Sequence, residues 1–255
     1  MAGQPLIPLP SQVVPLRWQR RHLPVCASTE IELGRWLAGR EAAGRPLPAD
    51  GTALVVVARR QRFGTGQQGR TWVSPPGGLW LSAAIPWPST SCSAALGLTV
   101  AAGLALQLEG LGLRPLIKWP NDLLLEGRKV AGLLPRLRHR GGQVRWAQVG
   151  IGLNGCNRIP PGAISLAEVL SSGRRAAHPQ AMPRQLEGRV LAALAWVVAM
   201  AEAAEAVREL AEARLWRHPQ GLAHAGLCWQ VEGLELDGRL RLRSGPLLTR
   251  LQREV

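Results

Sequence analysis

Residues 116–134 read Leu-Ile-Lys-Trp-Pro-Asn-Asp-Leu-Leu-Leu-Glu-Gly-Arg-Lys-Val-Ala-Gly-Leu-Leu. Strand-like runs over 116–119, 123–125 and 130–134 are separated by two tight turns, one stiffened by Pro120 and one built on Glu126-Gly127-Arg128. Such spacing gives hairpins, and adjacent antiparallel strands, in place of the helical crossovers a parallel sheet needs. Only two of the 31 basic residues of the chain are lysine, and both, Lys118 and Lys129, fall in this stretch. A bias toward arginine should spare lysine where a compact point charge is needed and a planar guanidinium would not fit. Asp122, one of three aspartates with Asp50 and Asp237, is close enough to Lys118 to form a structural ion pair.

Working outward, the same meander continues through 144–153, while the residues before it alternate between helix and strand. Ser28 and Thr29 precede Glu30-Ile31-Glu32-Leu33, an N-cap followed by acids in the first turn of a helix to about Ala43. Strands are predicted over 53–58 and 79–85, a buried helix over 91–108, and one long Ala/Leu/Glu helix from Pro183 to about Arg217. Short alternating strands follow from 219 onward. Mixed elements without regular βαβ alternation define an α+β fold with a mixed, largely antiparallel central sheet flanked by helices. Three parts are expected: an extended, proline-rich lead-in over 1–24, a main unit over 25–218, and a small all-β domain over 219–255.

A chain of 255 residues can bury one large core and a small appended one. Its longest apolar stretches fall short of the roughly 20 residues needed to cross a bilayer, and the N-terminus lacks a secretory pattern. No membrane association and a cytoplasmic location are the corresponding expectations. Four isolated cysteines, Cys26, Cys92, Cys156 and Cys228, lack the spacing of a zinc or redox site and read as buried free thiols. No metal-ligand cluster is expected. The formal charge of +14 supports an anionic partner or substrate.

Gly64-Thr65-Gly66-Gln67-Gln68-Gly69-Arg70 spells a dinucleotide fingerprint, but Trp72 to Gly78 cannot form the helix that must follow, and no acid occurs until Glu109. The glycines do allow backbone N–H groups to converge on an anion, and Arg70 adds a charged fork at the edge. On the glycines alone, a flexible hairpin loop and an anion site stand about even. A third segment, Gly150-Ile151-Gly152-Leu153-Asn154, is an apolar strand with room for close approach, ending in an amide.

In this order and spacing the three segments resemble the biotin protein ligases. That family carries Gly-Arg-Gly-x-x-Gly-Arg-x-Trp, then Lys-Trp-Pro-Asn-Asp with Lys-x-x-Gly, then Gly-x-Gly-x-Asn; here these are Gly64 to Trp72, Lys118 to Asp122 with Lys129 and Gly132, and Gly150 to Asn154. The resemblance implies a catalytic domain followed by a small C-terminal SH3-like β-barrel, in the short form without an N-terminal DNA-binding domain. It implies that biotin and Mg2+-ATP form biotinyl-5′-adenylate, and that biotin then passes to a lysine of the biotin carboxyl carrier protein of acetyl-CoA carboxylase. A monomer or homodimer that does not bind DNA is the expected form.

Residue by residue, the resemblance assigns Ser28, Thr29 and Gln61 to the ureido ring of biotin, and Gly64, Thr65, Gly66 and Gln67 to a loop closing over it. Lys129, beside Gly132, would bridge the biotin carboxylate and the α-phosphate as the catalytic residue. Arg70 would assist on the phosphate side, Trp72 would wall the nucleotide, and Asn121 and Asn154 would hold phosphate or ribose. Glu30 occupies a biotin-site position where the family usually has Asn, and as a first-turn acid its side chain is expected to face away from biotin. Thr65 and Gln67 replace arginines usual or common in the family, which implies faster leakage of the adenylate. Two other functions were weighed. A lipoate or octanoyl ligase or transferase shares the fold but lacks the Lys-Trp-Pro-Asn-Asp hairpin, and a nucleic-acid-binding module would need aromatics among its basic residues, where Tyr is absent and Phe63 is the lone Phe. A hydrolase is disfavoured because the five histidines show no ligand or triad spacing.

Overall fold

The computed structural model describes residues 16–45, 52–88, 93–140, 142–172 and 178–252. Seven strands form one sheet: β1 (Arg17–Leu23), β2 (Thr52–Ala58), β3 (Leu79–Ile85), β4 (Leu116–Lys118), β5 (Asp122–Leu125), β6 (Arg128–Arg140) and β7 (Gln143–Leu153). Their order is β1-β2-β3-β7-β6-β5-β4, with β1 and β2 parallel and every other pair antiparallel. The expected mixed, largely antiparallel sheet is therefore present, and the stretch 116–134 forms its hairpin end. Arg17–Leu23, expected within the extended lead-in, is instead an edge strand of this sheet; its alternation is masked because five of its seven residues are exposed, three of them arginines. Residues 1–15 of the lead-in lie outside the described residues.

Helix α1 (Thr29–Ala42) starts where expected, with the Ser28 hydroxyl accepting from the Glu30 N–H at 3.2 Å. It packs on one face of the sheet through Leu33 and Leu37 against Leu54, Val56 and Ala84. The other face is covered by α2 (Ser93–Glu109) and α4 (Pro183–Ala199), whose Leu96, Leu104, Leu186, Val190 and Leu194 join Val55, Leu81, Leu133 and Ile151 in the main core. Burial on both faces explains why β2 and β3 are continuous apolar runs. A short α3 (Leu166–Leu170), capped by Ser165, was not anticipated.

The single long helix expected over Pro183–Arg217 is broken. Helix α4 ends at Ala199 and α5 (Ala204–Glu212) starts after a turn in which Met200 and Ala201 are buried. The connecting residues carry no Gly or Pro, so core packing, not backbone propensity, sets the break. Beyond it β8 (Leu222–His224), β9 (Leu227–Leu234), β10 (Leu240–Ser244) and β11 (Leu247–Leu251) form a separate antiparallel sheet in the order β11-β10-β9-β8, where the small barrel was expected. No helix among the described residues is long and apolar enough to cross a membrane. Of the cysteines, only Cys26 is buried; Cys156 is half-buried, Cys228 is exposed, all three are free thiols, and Cys92 lies outside the described residues.

Candidate active site

Strand register builds the site. Across β6 and β7, Gly132 faces Gly152, Leu134 faces Gly150 and Arg136 faces Gln148, while Ser82 of β3 pairs with Gly150. Steps of two keep all of these on one face of the sheet, the face that also carries α1. The glycines leave a shallow floor, and Trp72 lies directly on it: a Cβ at Gly132 would come within 2.7 Å of the indole, and one at Gly152 closer still. Above this floor is a cavity of about 510 Å³, within the range of ordinary small-molecule sites.

Several separate stretches supply the walls. The N-terminus of α1 brings Ser28, Thr29 and Glu30; the loop after β2 brings Gln61, Thr65, Gly66, Gln67, Arg70 and Trp72; the hairpin brings Asn121, Asp122, Lys129 and Gly132; and Asn154 follows the end of β7. Of the residues singled out from the sequence, only Gly64 does not line the cavity. Its carbonyl accepts from the Trp72 N–H at 2.8 Å, and a Cβ there would meet the Trp72 carbonyl and the Ser74 hydroxyl, so its place is in the loop's own closure. The loop is neither a helix start nor slack. Gly66 N–H donates to Arg70 O at 2.7 Å and a turn of 3-10 helix spans Gln67–Gly69, with Gln68 at φ 54°.

At the α1 end the polar groups are interlocked. Gln61 Oε1 accepts from the Thr29 N–H at 2.7 Å and from Thr29 Oγ1 at 3.0 Å, Gln61 Nε2 donates to Ser74 Oγ at 2.8 Å, and Thr29 Oγ1 is 2.8 Å from Ser82 Oγ. Ser28, Thr29, Ser74 and Ser82 are all buried, so this polar patch is held rigid by its own bonds. Ser82, sequestered within an apolar run, was not singled out from the sequence; only its polarity in an otherwise apolar strand marks it.

Lys129 Nζ at the hairpin end is 2.6 Å from Asp122 Oδ1 and 4.9 Å from the centre of the Trp72 ring. The pairing expected for Asp122 with Lys118 is therefore corrected. Lys118 and Asp122 are cross-strand neighbours on β4 and β5, but the Lys118 ammonium lies over the Trp216 ring at 5.3 Å. The bulge between Leu123 and Leu124 brings Lys129 to Asp122 instead. Arg70 is exposed at the rim and donates to Gln68 Oε1 at 2.8 Å. Asn121 Nδ2 donates to the Leu133 carbonyl at 2.8 Å, which pins the hairpin turn, and buried Asn154 accepts from Asn157 Nδ2 at 3.2 Å.

Glu30 departs from expectation. Its side chain does not face away: it lines the cavity, and its Oε1 accepts from Arg136 Nη1 at 2.7 Å and Gln148 Nε2 at 3.1 Å. No group of three metal-ligating side chains occurs among the described residues.

The sequence model of the biotin/lipoate A/B protein ligase family matches residues 45–154, the stretch that supplies the glycine floor and most of the cavity wall. This chain carries that match over 110 of its 255 residues. It is 38% identical over 136 residues to the biotin--[acetyl-CoA-carboxylase] ligase of Paracoccus denitrificans, covering 49% of this chain and 56% of the relative. It is 31% identical over 185 residues to the enzyme of the same name from Mycobacterium tuberculosis, covering 67% of this chain and 65% of the relative. The matches thus span between about half and two thirds of these curated relatives. The fold is that of the biotin protein ligase from Aquifex aeolicus in complex with biotin and ATP, with TM-score 0.66 at 23% identity over 93% of this chain and 95% of that one.

Proposed function

We propose that the protein is an ATP-dependent biotin–protein ligase. A biotin carboxylate oxygen attacks the α-phosphorus of ATP, the α–β bridging P–O bond breaks, and pyrophosphate leaves. In the second step the neutral amine of a carrier lysine attacks the acyl carbon of biotinyl-5′-adenylate, an amide forms, and AMP leaves as the amine gives up a proton. The supporting observation is the convergence of Ser28, Thr29 and Gln61 at one part of the cavity and Lys129 at another, around a glycine floor that admits close approach.

Two anions must meet in the first step. Lys129 supplies a cation whose present partner, Asp122, can be exchanged for phosphate and carboxylate oxygens as the ligand enters, so that the charge developing on the phosphoryl group is stabilised. Trp72, resting on Gly132 and Gly152, offers a flat apolar wall to ligand groups, and Arg70 at the rim is placed to meet phosphates. Among the described residues, Glu30 and Asp122 are the only carboxylates on the cavity wall. Such a donor set fits Mg2+ carried in by the triphosphate, with at most Asp122 as a protein ligand. The acceptor is read as the biotin carboxyl carrier protein of acetyl-CoA carboxylase, whose modified lysine must reach the Lys129 end.

Lipoate activation is the second reading, and the polar end of the cavity formed by Ser28, Thr29 and Gln61 favours a ligand with donors and acceptors of its own over an aliphatic chain. Titration calorimetry with biotin and lipoate, with pyrophosphate release measured for each, separates the two. Biotin binding with biotin-dependent pyrophosphate release is expected, and release dependent on lipoate alone would overturn the assignment. Lys129→Ala is expected to lower the adenylation rate at least about 100-fold with an unchanged melting temperature; a rate within a few-fold of wild type would remove Lys129 from the mechanism.

A further inference from the structure

Glu30 places a carboxylate on the wall of a cavity that, on the proposed reading, must take an anion. Two independent features bear on how that charge is managed. First, Glu30 Oε1 accepts from two donors on the floor strands and has a second guanidinium farther off. Arg136 Nη1 is at 2.7 Å, Gln148 Nε2 at 3.1 Å and Arg138 Nη2 at 4.0 Å. Gln148 is buried and its orientation is fixed at both ends, since its Oε1 accepts from Arg138 Nε at 2.9 Å while its amide N–H donates to Glu30. Second, the other carboxylate on the wall, Asp122, is also matched by a dedicated cation, Lys129 at 2.6 Å. Both wall carboxylates are therefore charge-compensated.

The register explains how Arg136 can reach Glu30 without itself lining the cavity. It stands four residues beyond Gly132 on the same face of β6, about 13 Å along the strand, and directly opposite Gln148 on β7. The first turn of α1 lies over that part of the face. Glu30 thus ties the N-terminus of α1, and with it Ser28 and Thr29, to the two floor strands.

We propose that Arg136, held with Gln148 against Glu30, is a positioning and charge-cancelling residue that lets this cavity accept an anionic ligand despite an acid in its wall. The inference rests on the biotin reading of the site. Without the Arg136 guanidinium, Glu30 would keep only Gln148 and the more distant Arg138, and its less compensated charge, although it lies at the α1 end and not beside Lys129, would repel an anionic ligand across a cavity of lower dielectric than water. With both charges removed, that repulsion is absent.

The test compares biotin with the neutral biotinamide, by titration calorimetry, on wild type, Arg136→Ala, Glu30→Gln and the double variant. Arg136→Ala is expected to bind biotin about five- to tenfold more weakly and biotinamide within about twofold of wild type. The Glu30→Gln/Arg136→Ala protein is expected to recover most of the loss, a coupling that a merely additive structural defect would not give. Equal weakening toward both ligands, or a double variant as weak as Arg136→Ala, would overturn the inference and leave the biotin reading standing. Arg136→Met keeps the stem and replaces Arg136→Ala should the latter not fold. A wild-type protein that binds neither ligand would overturn the biotin reading and this inference together.

Discussion

A methyl group added at Gly152 would run into the indole of Trp72, and one at Gly132 would meet the same ring from the neighbouring strand. Neither glycine has a positive φ, so the glycine is required for contact and not for backbone conformation. Gly152→Ala is expected to push Trp72 into the cavity and weaken biotin at least about tenfold, while the melting temperature falls only slightly because the displaced ring has open space to enter. Calorimetry and a thermal melt on one sample check both halves. Cys26 gives a second residue-scale expectation. Burial, with Glu32 nearby, holds its thiol above the ordinary value, so less of it is thiolate at a given pH. Iodoacetamide at pH 8 should therefore label the peptide of exposed Cys228 well before that of Cys26, as followed by mass spectrometry. At this scale much of the site could be read in advance: Lys129, Trp72 and the glycines stand out by type and spacing. Glu30 was misjudged, because the direction of a first-turn side chain depends on a partner, Arg136, that lies 106 residues away. Arg136 and Gln148 carried no local signal that would have marked them.

Elements were legible where their own sequence sets them and obscure where packing does. Strands β2 and β3 are β-branched or apolar runs buried on both faces, and α1 carries its cap in its first residues. Strand β1 was hidden by its arginines, since an edge strand need not alternate, and the break between α4 and α5 is imposed by burial of Met200 and Ala201. That break lets α5 turn back on α2. Arg214, just past α5, grips Glu109 at the end of α2 through Nε to Oε1 at 2.6 Å and Nη2 to Oε2 at 2.8 Å, and its Nη1 donates to the Leu210 carbonyl at 2.7 Å. A two-pronged, partly buried pair of this kind is the strong class of ion pair. Glu109→Gln is expected to cost about 1–3 kcal/mol of stability, read from urea unfolding, with biotin affinity changed less than about twofold. The Arg208 pair with Glu205 on α5 is more exposed on the acidic side and should contribute less.

The two sheets of the molecule meet at the hairpin that carries Lys129. Trp119, between Lys118 and Pro120, donates its indole N–H to the Gly238 carbonyl of the β9–β10 turn at 2.9 Å, and Glu212 Oε2 accepts from the Leu234 N–H at 3.2 Å. Neither link could be foreseen, because each joins residues far apart in sequence, although both sheets were expected from their strand patterns. Trp119→Phe removes the indole donor, deletes the bond to Gly238 and leaves most of the packing. Its expected effect is about 1 kcal/mol in stability and a several-fold lower adenylation rate, from looser placement of Lys129; an unchanged rate would detach the small sheet from catalysis.

The bond from Trp119 to Gly238 has a consequence for inheritance of damage along the chain. A stop codon falling after Gln220 would spare each residue on the cavity wall and still untether the turn that aims the lysine. Such an allele should lose most of the proposed ligation in cells while an inventory of its pocket residues finds nothing missing.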